Sequence, residues 1–176
     1  AAMESDISIA KMERDTNPSW INVVTTWYQT DVHSTTIRPL PDKTPSDKSI
    51  IHVFGKAREL GMHLTLSTQL DVESGYQYGA WRGEIGFRNN EEWDKWFESY
   101  ERYILHYAEI AEKHNVELFN IGTELAMTTM QRPDKWESLI DKVRTVYSGR
   151  ITYTANWHEE YKEITFWNKL DYAGIA

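Results

Sequence analysis

Strand-like and helix-like segments alternate along almost the whole chain, and that alternation restricts it to α/β architectures built on a parallel sheet. The β-branched run Ile21-Asn22-Val23-Val24-Thr25-Thr26-Trp27 predicts a first strand. Ser46 to Leu60 predicts a helix with Ile50, Phe54 and Ala57 on one face, closed by Gly61, which tolerates the left-handed conformation at a helix end. From Met62 to Leu70 the apolar Leu64, Leu66 and Leu70 alternate with His63, Thr65, Ser67 and Gln69, so one side of this strand is apolar and the other polar. A long loop, Asp71 to Asn89, interleaves Gly75, Gly79, Gly83 and Gly86 with Tyr76, Tyr78, Trp81 and Phe87, and loops of this length usually carry function. Asn90 to His114 predicts a helix with Trp93, Trp96, Phe97, Tyr100, Ile104, Tyr107, Ala108 and Ala111 at three- and four-residue spacing. Val116 to Ile121 predicts a strand, Pro133 to Gly149 a helix with its stripe at Trp136, Leu139, Ile140, Val143 and Tyr147, and Ile151 to Ala155 and Leu170 to Ile175 two more strands.

Five strands separated by helices allow two closures. An open, doubly wound parallel sheet suits a single domain spanning residues 1–176, whereas a (β/α)₈ barrel needs eight strands and about 250 residues. The polar alternation of the Met62 strand, and the lack of a glycine-rich phosphate loop directly after any strand, argue for the barrel. The expected fold is therefore a TIM-barrel-like α/β domain, incomplete at five βα units, with the open doubly wound sheet as the alternative.

Charge narrows the partners. Lys and Arg total 19 against 27 Asp and Glu, a net charge of -8, with no basic cluster, which argues against nucleic acid. No apolar run is long enough to span a membrane, and Ala1-Ala2-Met3-Glu4-Ser5-Asp6 lacks the basic and apolar parts of a signal peptide. The chain reads as soluble, with its compartment open. The absence of cysteine excludes thiolate metal sites and cysteine nucleophiles. Eight Trp, ten Tyr and five Phe are costly side chains unless they are buried or used as stacking platforms, so such rings either fill a core or stack on sugar rings.

The short apolar run at Phe119-Asn120-Ile121-Gly122-Thr123 stops at Glu124. In parallel α/β folds the carboxyl ends of strands face the ligand, so a carboxylate there is a candidate for chemistry; the plainer reading is a loop residue paired with an Arg or a helix N-terminus. No Gly-Xaa-Ser-Xaa-Gly elbow is present, and His158-Glu159-Glu160 is not a zinc motif because position 162 is Lys162.

The order of several short pieces resembles the retaining β-mannanases of glycoside hydrolase family 113, in the clan of (β/α)₈-barrel glycosidases. They are Trp27-Tyr28-Gln29, Ala57-Arg58-Glu59-Leu60-Gly61-Met62 leading to Leu70-Asp71, Trp81-Arg82-Gly83 and Ile121-Gly122-Thr123-Glu124, followed by Val143 to Gly149, Tyr153-Thr154-Ala155-Asn156-Trp157 and Phe166 to Ile175. The resemblance implies that Glu124, at the end of the fourth barrel strand, is the general acid/base, which would require an apolar wall or a second carboxylate nearby to favour its protonated form. An Asn commonly precedes this Glu in related barrels; here Thr123 stands there, and Asn156 is the candidate to bind the sugar hydroxyl instead. By the same resemblance Gln69, Asp71, Trp81 and Arg82 line sugar subsites, and Trp157 and Trp27, at strand ends, are stacking candidates. No cofactor or metal is implied, and the expected ligand is β-mannan or a related oligosaccharide.

A retaining glycosidase needs two carboxyl groups about 5 Å apart. In the family the nucleophile is a Glu at the end of the seventh strand, while Ala176 lies within what corresponds to the sixth and Asp6 to Pro18 to the helix before the second. Glu159, Glu160 and Glu163 are expected to form a solvated acidic turn. The expectation is thus an endo-β-1,4-mannanase-like hydrolase segment with its nucleophile elsewhere and with open barrel edges that favour self-association. The alternatives are a non-catalytic carbohydrate-binding domain that uses the aromatic loop from Tyr76 to Phe87 and, more remotely, a flavodoxin-like domain.

Overall fold

The computed structural model describes residues 2–73 and 80–176. Helix α1 (Ala2–Thr16) leads into β1 (Trp20–Gln29), α2 (Asp47–Glu59), β2 (His63–Val72), α3 (Asn90–Lys113) and β3 (Leu118–Thr123). Then come α4 (Ala126–Gln131), α5 (Pro133–Val146), β4 (Arg150–Ala155), the single turn α6 (Glu160–Glu163) and β5 (Tyr172–Ile175). The strands form one parallel sheet in the order β1-β2-β3-β4-β5. A doubly wound sheet reverses its strand order at a switch point, whereas a barrel adds each new strand beside the last. The unbroken order therefore selects the barrel-type progression over the doubly wound alternative.

Local chemistry sets most of the boundaries. Ser46 caps α2 by accepting from the Ser49 amide, and Gly61 ends it at φ 76°. Asn89 caps α3 by accepting from the Glu92 amide, with Glu91 and Glu92 in the first turn, and Pro133 opens α5. Two elements escape a periodicity reading. Helix α4 carries Thr128 and Thr129, whose hydroxyls bond back to the Leu125 and Ala126 carbonyls, and α6 is one turn long. The predicted loop from Asp71 is shorter than expected, because β2 runs on to Val72 and Arg82–Glu84 form a 3₁₀ turn; Gly75, Tyr76, Tyr78 and Gly79 lie outside the described residues.

The sheet has two unlike faces. Leu64, Leu66 and Leu70 of β2, Phe119 and Ile121 of β3, and Ile151 and Tyr153 of β4 are fully buried against the helices. From α3 come Trp96, Tyr100, Tyr103 and Tyr107, and from α5 Trp136, Leu139, Ile140 and Val143, so the tryptophans on helical stripes are core residues. Trp96 stacks on Tyr100 at 4.8 Å between ring centres, and Trp136 stacks on Phe166 at 5.8 Å. This crowding explains Gly122, where a Cβ would stand 2.7 Å from the Tyr100 hydroxyl and 2.9 Å from the Tyr153 ring. The opposite face is polar: Ser67 donates to Asn22, and Asn120 donates to both Thr123 and Thr154. A register shift between Asn120 and Thr123 breaks the alternation of β3 just before Glu124.

Candidate functional site

Glu124 follows β3 directly and has a left-handed backbone, φ 54°, a conformation that is strained for any residue with a Cβ. Two bonds hold it there. Its own amide donates to the Thr154 carbonyl at 2.8 Å, and the next amide, of Leu125, donates to the Tyr153 hydroxyl at 2.7 Å. The carboxylate, 19% exposed, is gripped at both oxygens: Asn156 Nδ2 donates to Oε1 at 2.8 Å, and Arg82 Nη1 to Oε2 at 3.1 Å.

Arg82 is itself fixed from the side of β2. Its Nε donates to the Leu70 carbonyl at 3.1 Å and its Nη2 reaches Asp71 Oδ1 at 3.3 Å, with the side chain only 10% exposed. One guanidinium thus ties the end of β2 to the end of β3, using the fork geometry that lysine lacks. Gln69 shares the Asp71 face, two residues deeper in β2. Trp81 folds its indole over Gly83, where a Cβ would lie 2.2 Å from the ring, and is 38% exposed. Trp157, after β4, is 66% exposed. Both tryptophans, with Met127, Met130 and Asn156, line a cavity of about 520 Å³. Asn156 is shared between this cavity and Glu124, so the cavity adjoins the carboxylate.

Six of the seven residues expected around Glu124 therefore gather at the carboxyl ends of β2, β3 and β4. Trp27 does not. It shares a strand face with Gln29, whose side-chain oxygen accepts from Trp96 of α3 at 2.8 Å, so it points to the helix layer. There it stacks on Tyr103 at 4.9 Å and donates to the Tyr107 hydroxyl at 3.1 Å. The strand-end position was right, but the two-residue alternation turns Trp27 away from the polar face. Instead Tyr28 occupies that face, paired in register with Asp71; burial and then the Asp71 charge raise its phenol, and Lys43 lies over the ring at 5.3 Å. The alternation from Asn22 through Val24 and Thr26 was the signal that would have found it.

A second correction concerns the acidic turn. Glu159 and Glu163 are exposed, as expected, but Glu160 is 1% exposed. Its Oε1 accepts from the Tyr153 hydroxyl at 2.5 Å and from Thr129 at 2.9 Å, and its Oε2 from the Asn156 amide at 2.6 Å. Burial raises its pKa, these three donors work against that, and the Glu124 charge adds to the rise. The surroundings of Glu124 differ from the expected apolar wall: its direct partners are Arg82 and Asn156, and the second carboxylate sits behind Asn156.

The model of Glycoside Hydrolase Family 113 matches residues 1–176. The chain belongs to this family. A solved structure described as a complex of a GH113 β-1,4-mannanase superposes with a TM-score of 0.87 at 32% identity, covering 99% of this chain and 55% of that one. The GH113 β-mannanase AaManA from Alicyclobacillus acidocaldarius, in complex with ManMIm, gives a TM-score of 0.86 at 28% identity over 99% of this chain and 54% of its own. A comparison with curated proteins gave no match. This family 113 chain spans about half the length of those mannanases, and its five strands are part of the TIM-barrel fold they complete. Among the described residues no helix is long and apolar enough to cross a membrane.

Proposed function

We propose that the protein acts in the hydrolysis of β-1,4-linked mannose polymers by a retaining mechanism, with Glu124 as general acid/base. The observation that carries this reading is Glu124 itself: a strained, half-enclosed carboxylate at a strand end, held by Arg82 and Asn156 beside a cavity flanked by two exposed indoles. Family membership and the likeness to structures named as β-1,4-mannanases support the substrate class. Trp81 and Trp157 offer faces for sugar rings, and Asn156, Asp71 and Gln69 offer groups for sugar hydroxyls.

In the first step a nucleophilic carboxylate bonds to the anomeric carbon while Glu124 gives its proton to the glycosidic oxygen and the bond between that oxygen and the anomeric carbon breaks. In the second Glu124 takes a proton from the water that attacks the anomeric carbon, and the bond to the nucleophile breaks, releasing it as a carboxylate. Protonation puts an O–H on one oxygen of Glu124 that must aim at the glycosidic oxygen and weakens that oxygen as an acceptor, so one of the two donors yields when substrate enters. The longer bond, from Arg82 at 3.1 Å, is the one that yields, and Arg82 keeps its hold on Leu70 and Asp71. Neither carboxylate linked to Glu124 serves as nucleophile in this reading: Asp71 is paired with Arg82 and Glu160 has both oxygens occupied behind Asn156. We place the nucleophile outside residues 1–176.

The test is product release from β-1,4-mannooligosaccharides, followed chromatographically, together with calorimetric binding of the same sugars to the protein and to Glu124→Gln. The expected result is binding by both and cleavage, where present, lost in the variant. Hydrolysis that survives the substitution removes Glu124 from the mechanism. Affinity for the sugars without cleavage by either protein is what a binding domain, or a hydrolase segment whose nucleophile lies outside residues 1–176, would give.

A further inference from the structure

We propose that Glu160 is a positioning residue, a buried clamp that fixes Glu124 against Asn156 by joining the loops after β3 and β4. The acid/base role of Glu124 is needed only for the activity readout of this proposal; the clamp itself stands on the hydrogen bonds.

The device is written in local sequence. Tyr153 lies on the helix face of β4, which brings its hydroxyl beneath the turn that follows β3, where it accepts from the Leu125 amide at 2.7 Å. Asn156 begins a tight turn, its Oδ1 accepting from the His158 amide at 2.9 Å. That turn carries Glu160 back under Asn156, four residues earlier. One carboxylate then holds the Asn156 main chain with Oε2, and with Oε1 holds the Tyr153 hydroxyl and Thr129 of α4.

Asn156 is consequently a bridge between two carboxylates. Its main-chain N–H donates to Glu160 at 2.6 Å, and its side-chain amide donates to Glu124 at 2.8 Å. The chain from Glu160 through the Tyr153 hydroxyl to Leu125 reaches the residue next to Glu124, whose left-handed backbone persists only where its surroundings over-determine it. Burial and then the Glu160 carboxylate push the Tyr153 phenol far up, so it remains a donor to Glu160 throughout the ordinary pH range.

A carboxylate at 1% exposure, with hydrogen-bond donors but, among the described residues, no cation against it, is an expensive way to fill space. An apolar side chain would pack the gap between α4 and β4 without that burden, yet it could not accept from three donors belonging to three different segments. The energy spent on burying Glu160 is recovered as geometry at Glu124.

Glu160→Gln preserves volume and supplies one acceptor oxygen, so the fold should survive; exposed Glu163→Gln on the same turn is the control. In ¹H–¹⁵N spectra, the Asn156 side-chain amide and the Leu125 backbone amide should shift in Glu160→Gln and stay in place in Glu163→Gln. In ¹³C-carboxyl titrations, the Glu160 pKa should fall in Glu124→Gln, because the Glu124 charge helps to raise it. With mannooligosaccharides, kcat of Glu160→Gln should drop on the order of 10- to 100-fold with a smaller change in KM, as expected when a reacting group is displaced by a fraction of an ångström. Unmoved Asn156 and Leu125 signals, or an unchanged kcat, overturn the clamp. If neither the parent protein nor a variant cleaves the sugar, as a nucleophile outside residues 1–176 allows, the spectra alone decide the clamp, and it is absence of sugar binding by the parent that counts against the proposed function.

Discussion

Replacing Glu117 by Gln gives the sharpest test of how the sheet is held at the end away from the candidate site. Glu117 precedes β3, and its carboxylate accepts from both terminal nitrogens of Arg58 at 2.5 and 2.9 Å, from the Leu64 amide at 2.9 Å, and pairs with His63 Nδ1 at 2.9 Å. One side chain thereby ties the end of α2 and the start of β2 to β3. Burial alone would raise its pKa, but Arg58, His63 and the Leu64 amide outweigh burial and hold it at about 2, against 4.5 for an ordinary Glu. At about 1.36 kcal/mol per pKa unit that difference sets a ceiling of roughly 3 kcal/mol. The side chains of Glu117 and Arg58 are 30% and 37% exposed, and solvent screening brings the expected contribution to about 1–2 kcal/mol.

The sign follows from the direction of the shift. A carboxylate whose folded pKa is depressed stabilises fully above its unfolded value, and that stabilisation is lost as pH falls from about 4.5 through about 2. Urea unfolding followed by tryptophan fluorescence, run from pH 7 to pH 2 on the parent and on Glu117→Gln, reads this directly. The variant should be less stable by about 1–2 kcal/mol at pH 7, and the gap should close across that window. The other carboxylates titrate in both proteins and cancel in the difference. A gap that keeps its size at pH 2 would show that packing rather than charge holds the junction, and no gap at pH 7 would show that the ion pair contributes nothing.

The two strand-end tryptophans should behave oppositely. Trp157→Ala should weaken mannooligosaccharide binding by about 1–2 kcal/mol in calorimetry with little change in the urea midpoint, because the ring is mostly exposed. Trp27→Phe, which removes the donor to the Tyr107 hydroxyl, should lower stability by about 1 kcal/mol and leave binding unchanged. Among the described residues no strand pairs with the outer side of β1, which carries only the Tyr28–Arg38 bridge, or with the outer side of β5, and Val24, Tyr172 and Ile175 are exposed on them. Sedimentation velocity of the 176-residue chain should therefore show concentration-dependent self-association, and a single monomeric species up to high concentration would refute that expectation.

The fold was legible because each strand announces its two faces. The alternation of Leu64, Leu66 and Leu70 with polar neighbours and the stripes on α3 and α5 depend on neighbours in sequence, and these set strand number, helix faces and the choice of barrel over doubly wound sheet. Glu124 came from its strand-end position together with the family resemblance, and Arg82, Asp71 and Asn156 came from the resemblance. Trp27 failed because a strand-end address does not say which face a side chain takes; the parity of Asn22 would have supplied it and would have brought in Tyr28. Glu160 was hidden for a different reason. Three acidic residues within five look like a solvated turn, and only the fold places Thr129, Tyr153 and Asn156 around one of them.

Strand β3 shows why its two ends have different work. At its start, Glu117 is locked by a fixed cation and a fixed amide, and its charge never needs to change for the sheet to hold. At its far end Glu124 must exchange a proton in the proposed reaction, and a carboxylate locked as Glu117 is would resist doing so. Its partners are accordingly of another kind: Asn156, a neutral donor, and Arg82, whose bond to Glu124 is the longer of the two and whose remaining anchors at Leu70 and Asp71 let it release the carboxylate without leaving the site. One step back, the buried Glu160 carboxylate shapes the position of Asn156 and Leu125 from the wall of the cavity beside Glu124. In TIM barrels the end of the strand that meets ligand is the carboxyl end, and here the difference between the two ends is carried by how tightly each carboxylate is held.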